Sequence, residues 1–278
     1  MSKIIKTGSC SVVLGSFYFK DFIQTTDKLL KITKIIEKHN EFKHLDIIRS
    51  IDQYNTYYSI PDELSYLLEP SHTLYKKVKK LLFNMNELID IFDNSNLQFN
   101  FIDNGGDKDM FETIDMLFNN DLSFWKSYKI IEKCTNQLMK GLYFLHQKKL
   151  CHLDIKPENI VVDTLKTNFK IIDFGFCSKE PFNDYRFTPR GTPDYFPKYF
   201  PKDKINPWHP QIYANDIVIK NKSIPMFHNP KLVYKIDSYC LGRTLYFIKY
   251  VYDITKNYSC KNYEKKLGKK LDSITKCL

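Results

Sequence analysis

Apolar positions change their period along this chain, and each change marks an element. In KIIKTGSCSVVLGSFYF, β-branched and aromatic residues flank a Gly-Ser turn, which predicts two strands joined by a loop at Gly8 to Ser11. KLLKITK (28–34) predicts a third strand. Ile36, Phe42, Leu45, Ile48 and Ile51 then recur at spacings near three and four, the stripe of an amphipathic helix. The stretch 61–98 is poorly patterned apart from LYKKVKKLLFNMNELIDIF (74–92), which predicts a helix with a solvated lysine face. LQFNFIDNGGDKD (97–109) reads as a strand closed by a Gly-Gly break, a candidate linker between two lobes.

The clearest helix follows. Phe124, Tyr128, Ile131, Thr135, Leu138, Leu142 and Leu145 alternate steps of four and three, with Ser123 placed to cap the N-terminus. NIVVD and FKIIDF predict short buried strands, residues 198–232 are rich in Pro and Asn and predict irregular chain, and DSYCLGRTLYFIKYVY predicts a buried helix. No internal repeat or low-complexity tract interrupts this order.

Composition adds little to that picture. Of 278 residues 43% are apolar, enough for a sizeable core. The formal charge is +10, yet no basic run is interleaved with aromatics in the manner of a nucleic-acid module, so a solvated basic surface is expected and no nucleic-acid partner. Seven scattered cysteines form no CxxC pair, which argues against a zinc site and for a reducing compartment. No apolar run approaches a membrane span, so no membrane association and a cytoplasmic location are expected.

The chemistry concentrates in CHLDIKPENIVVD (151–163) and IIDFG (171–175). Two short strands bracketing a turn would bring Asp154, Asn159 and Asp173 to one edge. Asn159 and Asp173 are hard oxygen donors of the kind Mg²⁺ prefers. Asp154 is then free to orient a hydroxyl and accept its proton, and Lys156 to neutralise a phosphoryl group in transfer. Any one of these residues alone would be an ordinary turn residue; their order and spacing together make the signal.

With these motifs the sequence resembles the eukaryotic protein-kinase family. HLDIKPEN is similar to its catalytic loop, IIDFG to its metal-binding turn, GTPDY (191–195) to its substrate-side loop, and DSYCLG (237–242) to the helix start whose Asp pins the catalytic loop. The resemblance implies a two-lobed α+β fold over residues 1–278, with a small β-rich N-lobe running to about residue 103, a hinge at about 102–106 and a mainly helical C-lobe from about 107. It implies ATP and Mg²⁺ as cofactors, and transfer of the γ-phosphoryl group to Ser or Thr of a protein substrate, the preference resting on Lys156 and Thr192. A pseudokinase, a scaffold that keeps the fold without turnover, is the alternative.

In the N-lobe the resemblance is looser. Gly8, Ser9, Ser11 and Val13 align with the phosphate-covering loop, although only one of its three glycines is present. Lys31 is the implied phosphate-pairing lysine, with Lys28 and Lys34 as rivals, and Glu41 its implied acidic partner, with Glu37 as the fallback. Ile102, Asp103 and Asn104 are implied to meet the adenine, and Asp109 the ribose.

Three departures stand out. Leu153 replaces the family's Arg, Lys198 stands where a Glu is expected, and the chain reaches LDSITKCL without the late Arg that pairs with that Glu. Losing one half of a buried ion pair costs about 3–5 kcal/mol, whereas losing both can be nearly neutral. The compact plan is similar in style to kinases of large DNA viruses, for which the location would be the host cytoplasm.

Overall fold

The computed structural model describes residues 3–7, 11–15, 28–34, 43–73, 75–76, 79–80, 96–119, 124–180, 191–192, 195 and 230–255. The chain divides into two compact units, residues 1–40 with 59–104 and residues 41–58 with 105–278. The boundary at Asn104 and Gly105 falls inside the stretch expected to link two lobes.

The first unit is a five-stranded antiparallel sheet in the order β1-β2-β3-β5-β4, built from β1 (Lys3–Thr7), β2 (Ser11–Gly15), β3 (Lys28–Lys34), β4 (Pro61–Leu68) and β5 (Leu97–Asp103). Its register sorts the side chains onto two faces. Val12 and Leu14 of β2 lie opposite Ile32 and Leu30, and Ile32 and Leu30 lie opposite Phe99 and Phe101. That face is the core of the unit, with Leu14, Leu30, Ile32, Leu97 and Phe99 buried. Burial of such a side chain is worth about 1.5–3 kcal/mol.

Strand β4 is the element the sequence pattern left unread. It begins with Pro61 and lies at the sheet edge, where a proline's missing N–H costs no ladder bond. The helix expected over 74–92 falls mostly outside the described residues, as do Ile36 and Phe42 of the first helical stripe.

The second unit begins with α1 (Leu45–Ile51), which buries Leu45 and Ile48. Beyond it the Asp52 carboxylate accepts the backbone N–H groups of Thr56, Tyr57 and Tyr58 at 2.8, 2.6 and 3.0 Å. The turn so formed is tied to the rest of the unit: Ile171 N donates to Tyr57 O at 2.8 Å and the Tyr58 hydroxyl to Gly141 O at 2.5 Å.

Next come β6 (Lys108–Asp109), α2 (Met110–Asn119) and α3 (Phe124–Gln147). Of the expected stripe on α3, Ile131, Thr135, Leu138, Leu142 and Leu145 are buried, Tyr128 is half-buried, and the side chain of Phe124 lies outside the described residues. The remaining strands are β7 (Leu150–Cys151), β8 (Ile160–Asp163), β9 (Asn168–Ile171) and β10 (Ser178–Lys179), and α4 (Pro230–Thr255) closes the described chain. Strands β6, β8 and β9 form one antiparallel sheet, and β7 pairs with β10. Gly106 permits the turn into β6, since a Cβ there would land on the backbone of Val162. Among the described residues, no helix is long and apolar enough to cross a membrane.

Candidate active site

Hydrogen bonds to one buried carboxylate shape the loop after β7. Asp237 of α4 accepts the backbone N–H of His152 at 2.8 Å and of Leu153 at 2.6 Å, and its Oδ2 lies 2.9 Å from His146 Nε2. These bonds hold Leu153 at φ 70°, a left-handed conformation costly for leucine. His152 is fixed as well. Its Nε2 must donate to the Ile172 carbonyl at 3.0 Å, which leaves Nδ1 to accept the Asp154 N–H at 3.3 Å. The ring rests edge-on against Phe174.

The strained backbone aims Asp154 at three partners. Its Oδ1 accepts the Thr192 hydroxyl at 2.8 Å, and its Oδ2 lies 2.9 Å from Lys156 Nζ and 2.9 Å from Asn159 Nδ2. Lys156 Nζ also donates to Thr192 Oγ1 at 2.7 Å, closing a ring of Asp154, Lys156 and Thr192. Asn159 Nδ2 donates again to the Asp154 carbonyl at 2.9 Å, so its Oδ1 is the atom left to face a cation.

The β8–β9 register supplies the last group. Ile160 pairs with Ile171, and Ile172 N donates to Asn159 O at 3.0 Å, so Asn159 and Asp173 leave the hairpin at the same end. Asp173 is also left-handed, at φ 63°, with its carboxylate accepting the Gly175 N–H at 3.4 Å. Phe174 is buried, edge-on to Tyr58. Leu153 and Asp173, two of the five positive-φ non-glycine residues among those described, flank the β8–β9 hairpin close to the chemistry-bearing side chains.

Cys240 carries no signal in the sequence. It is buried on α4, its thiol donates to the Tyr195 carbonyl at 3.2 Å, and burial pushes that thiol far above its ordinary pKa, so it behaves as a small neutral donor. It therefore ties the GTPDY segment to the helix that carries Asp237.

The first unit holds most of the other candidates. Val13 lies opposite Lys31, and Lys31 opposite Asn100, so the three form a row across the sheet. Val13, Lys31 and Ile102 share one face, while Lys28 belongs to the other; in the backbone register Ser11 lies opposite Thr33 and Lys34 opposite Leu97. Lys28 instead pairs with Asp103 at 3.6 Å. Asn104 follows the end of β5, whereas Asp109 lies in the second unit, where its carboxylate caps α2 by accepting the Glu112 N–H at 2.8 Å. Gly8, Ser9, Glu37, Glu41 and Lys198 lie outside the described residues.

This loop, turn and helix-borne Asp, on this order of elements, define a eukaryotic-type protein kinase. The protein kinase domain model matches residues 19–199, and the chain belongs to that family. It is 35% identical over 98 residues to the mitosis inhibitor protein kinase SWE1 of Candida albicans, covering 34% of this chain and 8% of that one. It is 38% identical over 68 residues to the serine/threonine-protein kinase ULK3 of Xenopus laevis, covering 24% and 14%. The chain thus matches a small part of each curated relative's length. The solved structure of the Cydia pomonella granulovirus kinase PK-1 aligns at 16% identity and TM-score 0.49, over 89% of this chain and 70% of that one.

Proposed function

We propose that this protein transfers the γ-phosphoryl group of ATP to Ser or Thr hydroxyls of a protein substrate. Asp154 orients the incoming hydroxyl and takes its proton as oxygen bonds to the γ-phosphorus and the bond to the β-phosphate oxygen breaks. Lys156 neutralises charge on the moving group, and Lys31 pairs the phosphates. Asn159 and Asp173 would hold Mg²⁺: both offer hard oxygen atoms and leave one end of the β8–β9 hairpin together. When bound, the ion supplies charge neutralisation to the phosphates.

One observation supports the Ser/Thr reading above the others. A threonine hydroxyl already donates to Asp154 at 2.8 Å while accepting from Lys156 at 2.7 Å, the contacts an aliphatic substrate hydroxyl requires. Mechanistically, Thr192 is a positioning residue, fixing the base and the lysine relative to the substrate-side segment.

Incubation with γ-labelled ATP, Mg²⁺ and a generic basic protein should place label on Ser and Thr. Addition of Mg²⁺-ATP should raise the melting temperature of the wild type and raise that of Asp173→Ala much less. Nucleotide binding without label transfer would leave the scaffold reading standing. Equal thermal shifts in both proteins would remove Asp173 from the metal site.

A further inference from the structure

Three lysines line one groove of the second unit, and none of them has an acidic partner among the described residues. The groove is a cavity of about 480 Å³ between α3 and the turn shaped by Asp52. Gln137 ties its walls together: Nε2 donates to the Thr56 carbonyl at 3.3 Å, and Oε1 accepts the N–H of Phe169 on β9 at 3.2 Å. Lys133 Nζ donates to the Lys166 carbonyl at 3.0 Å and the Thr167 hydroxyl at 3.4 Å, both neutral acceptors. Lys129, Asn136 and Lys140 are exposed and make no ion pair or hydrogen bond among the described residues. Glu132 is the one acidic residue that lines the groove.

Spacing sets the lysines in a row. At 3.6 residues per turn, steps of four and seven keep Lys129, Lys133 and Lys140 within about 40° of one another over about 16 Å of helix. Like charges so placed weaken a helix, so the row is no device for stability. Apolar side chains run beside it. Met139 and Tyr143, one turn apart, are exposed; Tyr143 meets the Phe144 ring, and Phe144 meets Tyr57 of the groove wall. The groove is remote from the transfer chemistry. Lys166 and Thr167 belong to the turn between β8 and β9, while Asn159 and Asp173 leave that hairpin at its other end.

We propose that this groove docks an extended acidic segment of a partner protein. Carboxylates of the segment meet the Lys129, Lys133 and Lys140 row, and an apolar side chain lies on Met139 and Tyr143. The dimensions suit extended chain. Alternate residues of a strand are about 6.6 Å apart, close to the rise of about 6 Å between Lys129 and Lys133. About five extended residues span the whole row. Charge complementarity selects an acidic occupant, and the exposed Met139 beside the row favours a peptide over a phosphodiester chain, which has no apolar side chain to set there.

The test is fluorescence anisotropy with the full chain and a short labelled peptide of alternating Glu and Leu. Wild type should bind it, more weakly as salt rises, and should not bind the peptide with Lys in place of Glu. Lys129→Gln/Lys140→Gln should weaken binding about five- to tenfold and melt at the wild-type temperature, since neither side chain makes a bond within the described chain. Lys79→Gln/Lys80→Gln removes the same charge from exposed positions of the first unit and should bind within about twofold of wild type. Tyr143→Ser, or Ser for Leu in the peptide, should each weaken binding.

Equal losses in the two double-lysine variants would report net charge and not a groove, and would overturn the proposal. So would wild-type binding of the Lys peptide at the same strength, or no binding of the acidic one. A single-stranded oligonucleotide that binds more tightly than the acidic peptide, and is released by Lys129→Gln/Lys140→Gln, would assign the groove to nucleic acid instead. Binding is read without nucleotide, so its failure leaves the phosphoryl-transfer reading untouched.

Discussion

Removing the Thr192 hydroxyl while keeping its shape, as Thr192→Val does, separates positioning from chemistry in the Asp154 cluster. The variant keeps the carboxylate, the ammonium and their direct 2.9 Å contact, but loses the hydroxyl that ties both to the substrate-side segment. We expect turnover to fall about tenfold, one charge-assisted hydrogen bond's worth, with ATP affinity unchanged and activity restored by Thr192→Ser. A loss of ATP affinity matching the loss of turnover would contradict the assignment. Asp154, Lys156, Asn159 and Asp173 stood out as candidates in the sequence because they fall in two short motifs, residues 151–163 and 171–175. Cys240 did not, because it acquires meaning from a contact with Tyr195 that is 45 residues away in the chain.

Hairpin β8–β9 and the turn into β6 carry the site from one side, and a carboxylate there links their stability to pH. Asp107 follows Gly106, and its two oxygens accept the N–H of Thr164 at 2.8 Å and the Thr164 hydroxyl at 2.7 Å. Burial alone would raise its pKa, but the bonds from Thr164 outweigh that and hold it below the ordinary value. A carboxylate depressed in the folded state stabilises above its unfolded pKa, and that contribution disappears as pH falls through the folded one. Wild type should therefore exceed Thr164→Val in denaturant midpoint near neutral pH, with the gap closing below about pH 4. The gap should be small because the pair is exposed to solvent. A gap that widens in acid would contradict the sign. Elements with a strong period were legible: from Ile131 to Leu145 the stripe of α3 that its sequence shows is buried. Strand β4 was not, because an edge strand that opens on proline has neither a clean alternation nor a helical period.

For the molecule as a whole, Leu153 leads to a prediction about how activity is controlled. In relatives with Arg at this position the guanidinium grips a phosphate on the activation segment, which by resemblance is FCSKEPFNDYRFTPR (176–190) here. Leu153 is fully buried and has no donor in its side chain, and the bonds from Asp237 hold its backbone without help from a phosphate. We predict activity within a few-fold of wild type after phosphatase treatment, and in a Ser178→Ala/Thr188→Ala variant. A tenfold loss in both, about 1.4 kcal/mol in the barrier, would show control by another route, with Arg186 or Arg190 as the phosphate-binding group.

The central claim is that the Asp154 carboxylate performs proton transfer in a phosphoryl-transfer enzyme. Its most direct test is a single-turnover measurement of labelled phosphate moving from saturating Mg²⁺-ATP to a Ser/Thr protein substrate, in wild type and in Asp154→Ala. The account predicts transfer by the wild type and a loss of roughly 10²–10⁴ in the variant, with nucleotide affinity nearly intact. Transfer by Asp154→Ala at the wild-type rate would contradict it.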